Sequence, residues 1–128
     1  MIILHIDDDP DDRNMLQEAI EKLQPDIHLQ SAENGLAGLQ MLEQAKVTGN
    51  LPCLVILDIN MPILDGRKTL EKIKRDPVLS QMPVVILTSS QNPNDAAFFN
   101  EHAAGFMTKP HNASAFHTIA QEVVNYCL

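Results

Sequence analysis

The stretch HIDDDPDD places five carboxylates, Asp7, Asp8, Asp9, Asp11 and Asp12, within eight residues. Two unit charges about 4 Å apart repel by roughly 4 kcal/mol at an effective dielectric near 20, so a folded cluster of this kind needs either a counter-charge or water. A solvated charge run and a cation site are the two readings. Three other segments carry polar groups directly at the ends of apolar runs: Asp58 after CLVIL, Thr88 closing VVILT and Lys109 after GFMT. Three carboxylates brought together would raise one another's pKa values unless a cation were bound. A hard divalent ion such as Mg2+ takes one or two carboxylates, several waters and a phosphate. A hydroxyl and an ammonium beside one carboxylate would then hold phosphoryl oxygens, a set suited to moving a phosphoryl group onto an aspartate.

These residues meet only if the elements carrying them share a rim. Five apolar runs of four to six residues, 2–6, 27–32, 53–58, 84–88 and 105–108, alternate with longer segments of helical period. That alternation is the pattern of βαβ units and a parallel sheet. The near-continuous Val, Ile and Leu of the third and fourth runs suit central strands covered on both faces. Between the runs, Leu16, Ala19, Ile20 and Leu23, then Gly38, Met41, Leu42 and Ala45, follow the i, i+3, i+4, i+7 rule. Phe116, Ile119, Ala120, Val123, Val124 and Cys127 give the clearest amphipathic helix, and less regular segments from about 63 to 75 and 94 to 103 fill the remaining crossovers. Five strands and five helices in a doubly wound α/β fold are expected. In such a sheet the carboxyl ends of the strands form the ligand-binding rim, which would collect Asp7, Asp8, Asp58, Thr88 and Lys109 in one place. Asp9, Asp11 and Asp12 read as a solvated first helical turn, where the helix dipole favours acidic residues.

At 128 residues the chain is expected to be one domain. Its net charge of -8 and nine scattered Lys and Arg argue against nucleic acid as a direct ligand. The opening apolar run is too short to span a membrane and has no basic preceding region or cleavage site, which predicts a cytoplasmic protein with no membrane partner. Cys53 and Cys127 read as small core hydrophobes with reduced thiols rather than a disulfide framework. The five histidines show no metal-ligand spacing, and His5 falls inside the first strand.

IDDDPDD, LVILDINMPILDG, VVILTSS and GFMTKP resemble, in order and at ordinary spacing, the four signature segments of the receiver domain of two-component response regulators. The resemblance covers the whole chain. It implies the flavodoxin-like receiver fold, strand order 2-1-3-4-5, over residues 1–128 with no output domain. It implies that Asp58 is the phosphoacceptor, taking a phosphoryl group from a sensor histidine kinase or a histidine phosphotransfer protein, and that the chain is a phosphoacceptor signalling protein rather than an enzyme. Mg2+ would be ligated by Asp8, Asp58 and the backbone carbonyl of Asn60, with Asp7 acting mainly through bound water. Lys109 would pair with Asp58 or its phosphoryl group, and Thr88 would turn its hydroxyl toward the phosphoryl oxygen. Phe106 stands at the family's switch aromatic, with plain edge-strand packing as the competing reading. The Lys109–Pro110 bond would be cis. Asn60 and Ser90 stand at positions that tune hydrolysis, both small enough to leave water access open. Downstream proteins would dock on the fourth helix, fifth strand and fifth helix; the apolar stripe of the fourth helix is wide enough to bury both Phe98 and Phe99 or to leave one partly exposed, and an exposed one would mark that face. Two other classes compete. A haloacid-dehalogenase-type phosphatase would carry a second aspartate where Asn60 stands, and a phosphate-independent receiver-like binding module would be expected to lose one of the five site residues.

Overall fold

The computed structural model describes all residues 1–128. Its sheet is built from β1 (Ile2–Ile6), β2 (His28–Ala32), β3 (Leu54–Leu57), β4 (Val84–Thr88) and β5 (Gly105–Thr108), all parallel, in the order β2-β1-β3-β4-β5. Five helices make the crossovers: α1 (Pro10–Leu23), α2 (Gly35–Thr48), α3 (Gly66–Arg75), α4 (Pro93–His102) and α5 (Phe116–Val124). No helix is long and apolar enough to cross a membrane.

Alternation along the strands divides the core between two faces. Ile3, Leu54, Ile56, Val85 and Leu87 pack with Leu16, Ile20, Phe116, Ala120 and Val123 of α1 and α5. Leu4, Ile6, Val55, Leu57, Val84 and Ile86 pack with Leu42, Leu70, Ile73 and Phe99 of α2, α3 and α4. Every residue of β3 and β4 is buried, as expected of central strands with helices on both sides.

The helices start where side chains accept orphan amide protons. Asp9, Asn34, Asp65 and Asn92 cap α1, α2, α3 and α4. α3 begins at Gly66, later than its apolar pattern suggests, because the preceding loop folds into a tight turn. There the Leu64 amide donates to the Pro62 carbonyl at 2.8 Å and Ile63 takes a φ of 71°. Gly66 is required by contact: a β-carbon there would collide with the Asp58 carbonyl oxygen and lie 2.7 Å from the Ile59 Cα.

Two expectations are corrected. No peptide bond is cis, so Lys109–Pro110 is trans. The trans form is the lower-energy isomer by about 0.5–1 kcal/mol. The lysine is aimed instead by its amide, which donates to the Thr88 carbonyl at 2.8 Å. Cys53 and Cys127 are joined in a disulfide, not left as separate thiols. α5 ends at Val124, and a 3-10 turn over Asn125–Cys127 carries Cys127 beneath the amino edge of the sheet. The two Cα atoms stand 5.3 Å apart there, within bridging range.

Candidate functional site

Backbone hydrogen bonds fix the rim before any side chain is considered. The ladder runs one residue past the strand ends: the Asp7 amide donates to the Ala32 carbonyl at 3.0 Å and the Asp58 amide to the Ile6 carbonyl at 3.0 Å. Asp7, Asp58 and Lys109 are therefore held by the sheet, and their side chains converge. Lys109 Nζ lies 2.9 Å from Asp7 Oδ2, 3.1 Å from Asp58 Oδ2 and 2.8 Å from Asp12 Oδ2. Asp58 Oδ1 accepts the Ile59 amide at 2.7 Å, and Asp7 Oδ1 accepts the Asp9 amide at 2.9 Å.

The electrostatics follow from this crowding. Burial pushes the Asp58 carboxyl above its ordinary range, the Asp7 charge pushes it further, and Lys109 and the Thr88 hydroxyl partly oppose them. Burial also acts to raise Asp7, but the neighbouring His5 imidazole, the hydrogen bond from the Asp9 amide and the Lys109 ammonium outweigh it and hold Asp7 down at about 2. Burial acts to lower Lys109, yet Asp12 and Asp7 together hold it above the usual lysine range. Lys109 is thus a fixed ammonium, and Asp58 is the carboxylate least comfortable with its charge.

Asp7, Asp8 and Asp58 each offer one oxygen, and these three atoms lie within 4.8 Å of one another. Asp7 and Asp58 are buried and Asp8 is exposed, so the group opens to solvent on one side. With Asp12 added, the rim gathers four carboxylates and one ammonium, three of the carboxylates in contact with it. An all-oxygen donor set with surplus negative charge and an open side fits a hard divalent cation that keeps some of its waters.

Thr88 is fully buried, and its Oγ1 accepts the Ser90 amide at 3.2 Å. Ser90 Oγ donates to Asp95 Oδ2 at 2.9 Å, and Arg67 Nη2 lies 3.8 Å from Asp95 Oδ1 with its guanidinium 3.9 Å over the Phe98 ring. The loop after β4 is thereby tied to α3 and α4. Asn60 sits exposed on the loop after β3, two residues past Asp58. Phe106 lies away from the carboxylates, half-buried in β5 with its ring centroid 6.5 Å from that of Phe99. Phe99 is fully buried and Phe98 half-buried, so of the two outcomes open for this pair the helix leaves one ring partly exposed.

Two participants escape a reading by segment. Asp12 does not point into solvent with the rest of its helical turn; only 15% of its side chain is exposed, and it holds Lys109. His5 is fully buried, with Nε2 3.5 Å from Asp7 Oδ2 and no hydrogen-bond partner on either ring nitrogen. Its spacing to Asp7, two residues along one strand, was a usable signal, because alternate residues share a face. For Asp12 the signal was weaker: it stands four residues after Asp8, one helical turn on.

A model of the response regulator receiver domain matches residues 3–121. The response regulator Rcp1 of Synechocystis sp. (strain ATCC 27184 / PCC 6803 / Kazusa) is 33% identical over 99% of this chain and 88% of its own. Among solved structures, the phosphorylated cyanobacterial phytochrome response regulator RcpA superposes with a TM-score of 0.88 at 29% identity, covering 98% of this chain and 91% of that one. The Mn(2+)-bound form of Rcp1 superposes with a TM-score of 0.85 at 32% identity, covering 99% and 94%.

Proposed function

The chain belongs to the response regulator receiver family, and from that premise we propose that Asp58 accepts a phosphoryl group from a phosphohistidine on a sensor histidine kinase or a histidine phosphotransfer protein. The observation that carries this reading is Lys109, whose ammonium lies within 3.1 Å of Asp58 Oδ2 and 2.9 Å of Asp7 Oδ2 at the meeting point of three strand ends. A carboxylate oxygen of Asp58 attacks phosphorus, the P–N bond breaks, and the donor imidazole leaves with the electron pair and takes up a proton. Asp8, Asp58 and the Asn60 carbonyl would hold Mg2+ directly, with Asp7 acting mainly through bound water, and the ion would supply positive charge to the phosphoryl oxygens.

The chain's own residues do the rest. Lys109 offers N–H donors and a fixed positive charge to the oxygens that gain charge. Phosphorylation adds about 1.5–2 negative charges and three acceptor oxygens at Asp58, which draw the Thr88 hydroxyl. Turning that hydroxyl breaks its bond from the Ser90 amide and so loosens the loop after β4. Phe106 then repacks against Phe99, whose ring centroid lies 6.5 Å away, and changes the α4–β5–α5 face that partners read. The chain acts in this way as a cytoplasmic signalling protein without nucleic-acid contact, and it releases phosphate slowly through water admitted beside Asn60 and Ser90.

The test is incubation with a small phosphodonor, with and without Mg2+, followed by mass spectrometry. Labelling confined to Asp58, dependent on Mg2+ and lost in Asp58→Asn, is the expected result. Labelling that survives Asp58→Asn refutes the assignment, and no labelling under any condition favours a phosphate-independent binding module.

A further inference from the structure

The Cys53–Cys127 bond lies at the amino edge of the sheet, opposite the carboxylate rim. Cys53 immediately precedes β3, and its amide donates to the Ile2 carbonyl at 2.8 Å. Cys127 lies in the terminal 3-10 turn, whose closing bond from the Leu128 amide to the Asn125 carbonyl is long at 3.4 Å. Beside it, the Tyr126 hydroxyl covers Gly105 at the start of β5, 3.1 Å from where a β-carbon on that glycine would stand. The disulfide therefore ties the end of α5 to the start of β3, and the neighbouring tyrosine lies over the start of β5.

Two features distinguish this bond from an inert staple. Two apolar clusters of 15 buried residues each already hold the domain, which is of a size that folds without cross-links. The Cys53 sulfur also stands 3.1 Å from the Ile2 carbonyl oxygen. A disulfide sulfur has no proton to donate there, but a thiol does, so the reduced cysteine finds its hydrogen-bond partner already in place. Both cysteines are half-buried rather than sealed, which leaves the bond open to attack.

We propose that Cys53 and Cys127 are a reversible thiol–disulfide exchange site for a low-molecular-weight thiol, and that reduction releases the terminal turn from the sheet while leaving the carboxylate rim unchanged. The incoming thiolate attacks the Cys127 sulfur on the loosely held turn and the Cys53–Cys127 bond breaks. The electron pair leaves on the Cys53 sulfur, which takes a proton from water and donates the resulting S–H to the Ile2 carbonyl. A second thiolate attacks the incoming sulfur of the mixed disulfide and frees Cys127, which is protonated in turn. Two thiols are oxidised to one small disulfide, and one protein disulfide is reduced to two thiols.

The folded protein is equilibrated in glutathione buffers of graded redox ratio, free thiols are trapped by alkylation and counted by mass, and amide exchange is followed in parallel. Cys53 and Cys127 are expected to titrate together as one two-electron couple. In the reduced protein the amides of Tyr126–Leu128 exchange about tenfold faster, approaching the near-zero opening cost of a free terminus, while those of β3 keep their protection. Cys127→Ser and, separately, Cys53→Ala should hold the terminal amides at the reduced rate at every ratio. A bond that never forms at the most oxidising ratio overturns the proposal. So does one that persists at the most reducing ratio in the folded protein, or a reduction that opens β3 as a whole. Asp58 labelling is a separate measurement, so either reading can fail alone.

Discussion

Replacing Asp58 by Asn removes one full charge from the cluster while keeping an oxygen for the Ile59 amide, which Asp58 Oδ1 accepts at 2.7 Å. The Coulomb energies it changes oppose one another. At an effective dielectric near 20, the attraction of Asp58 to Lys109 across 3.1 Å is about 5 kcal/mol, and repulsion within 4.8 Å is at least about 3.5 kcal/mol for each like-charged neighbour before screening. Asp7 is buried and counts nearly in full, whereas Asp8 is exposed and must be discounted for solvent screening. The pairwise energies nearly cancel, so the desolvation of a buried carboxylate decides the sign. Allowing for the imperfect solvation of the amide that replaces it, the metal-free variant should be more stable by about 1–2 kcal/mol. In a domain of this size that is a rise in Tm of about 3–8 °C. The pH dependence is a second check. The folded Asp58 pKa is raised, so stability is intact below the unfolded value near 3.9 and falls as pH rises through the folded value. The advantage of the variant should therefore be absent in acid and appear on the way to neutrality. Thermal melts in chelator across that range measure both. A variant less stable than the parent at neutral pH, or one whose advantage is the same in acid, refutes the reasoning.

Three further changes test the surrounding frame. Gly66→Ala drives a methyl group into the Asp58 carbonyl. It should cost about 1–3 kcal/mol in urea denaturation and lower Asp58 labelling, because the strand end moves; unchanged stability would count against that contact. Ile63→Gly removes a β-branched residue from φ 71° at a site 74% exposed. The relief of about 1–2 kcal/mol should exceed the extra unfolded-state freedom of glycine, so urea denaturation should show a small gain, and a clear loss would refute it. Asp76 is held down at about 2, chiefly by its hydrogen bond from Lys46 at 2.6 Å. A depressed carboxyl contributes stability above its unfolded value and loses it as pH falls, so Lys46→Met should flatten acid unfolding between about pH 4 and 2. An unaltered acid slope would deny the pair that role.

The fold was legible wherever a rule acts over neighbouring residues. The runs 2–6, 84–88 and 105–108 coincide with β1, β4 and β5 because apolar continuity and strand length are local properties. The rim could be anticipated for the same reason: Asp7, Asp58, Thr88 and Lys109 each close a strand, and parallel topology brings those ends together. What escaped was decided across the fold. Cys53 and Cys127 are 74 residues apart, and only the place where α5 stops brings their Cα atoms within 5.3 Å. The late start of α3 depends on a turn through Ile63, whose φ is 71°. That is a conformation which the preferences of a β-branched residue argue against.

Asp12 shows how a local rule can be satisfied and still mislead. It does lie in the first turn of α1, and its amide approaches the capping Asp9 Oδ1 at 3.4 Å. The same turn aims its carboxylate at Lys109, 2.8 Å away. One residue thereby meets both a dipole preference and an ion pair. Lys109 is consequently shared among three carboxylates, and holding a phosphoryl oxygen would require it to give up one of them. Asp7 is fully buried and already accepts the Asp9 amide, and Asp58 is the proposed site of attack. Asp12 is the most exposed of the three, so water can replace its lost partner at the least desolvation cost. The opening run of aspartates thus supplies two carboxylates to the candidate cation site and a third that keeps the lysine charged, in place and releasable.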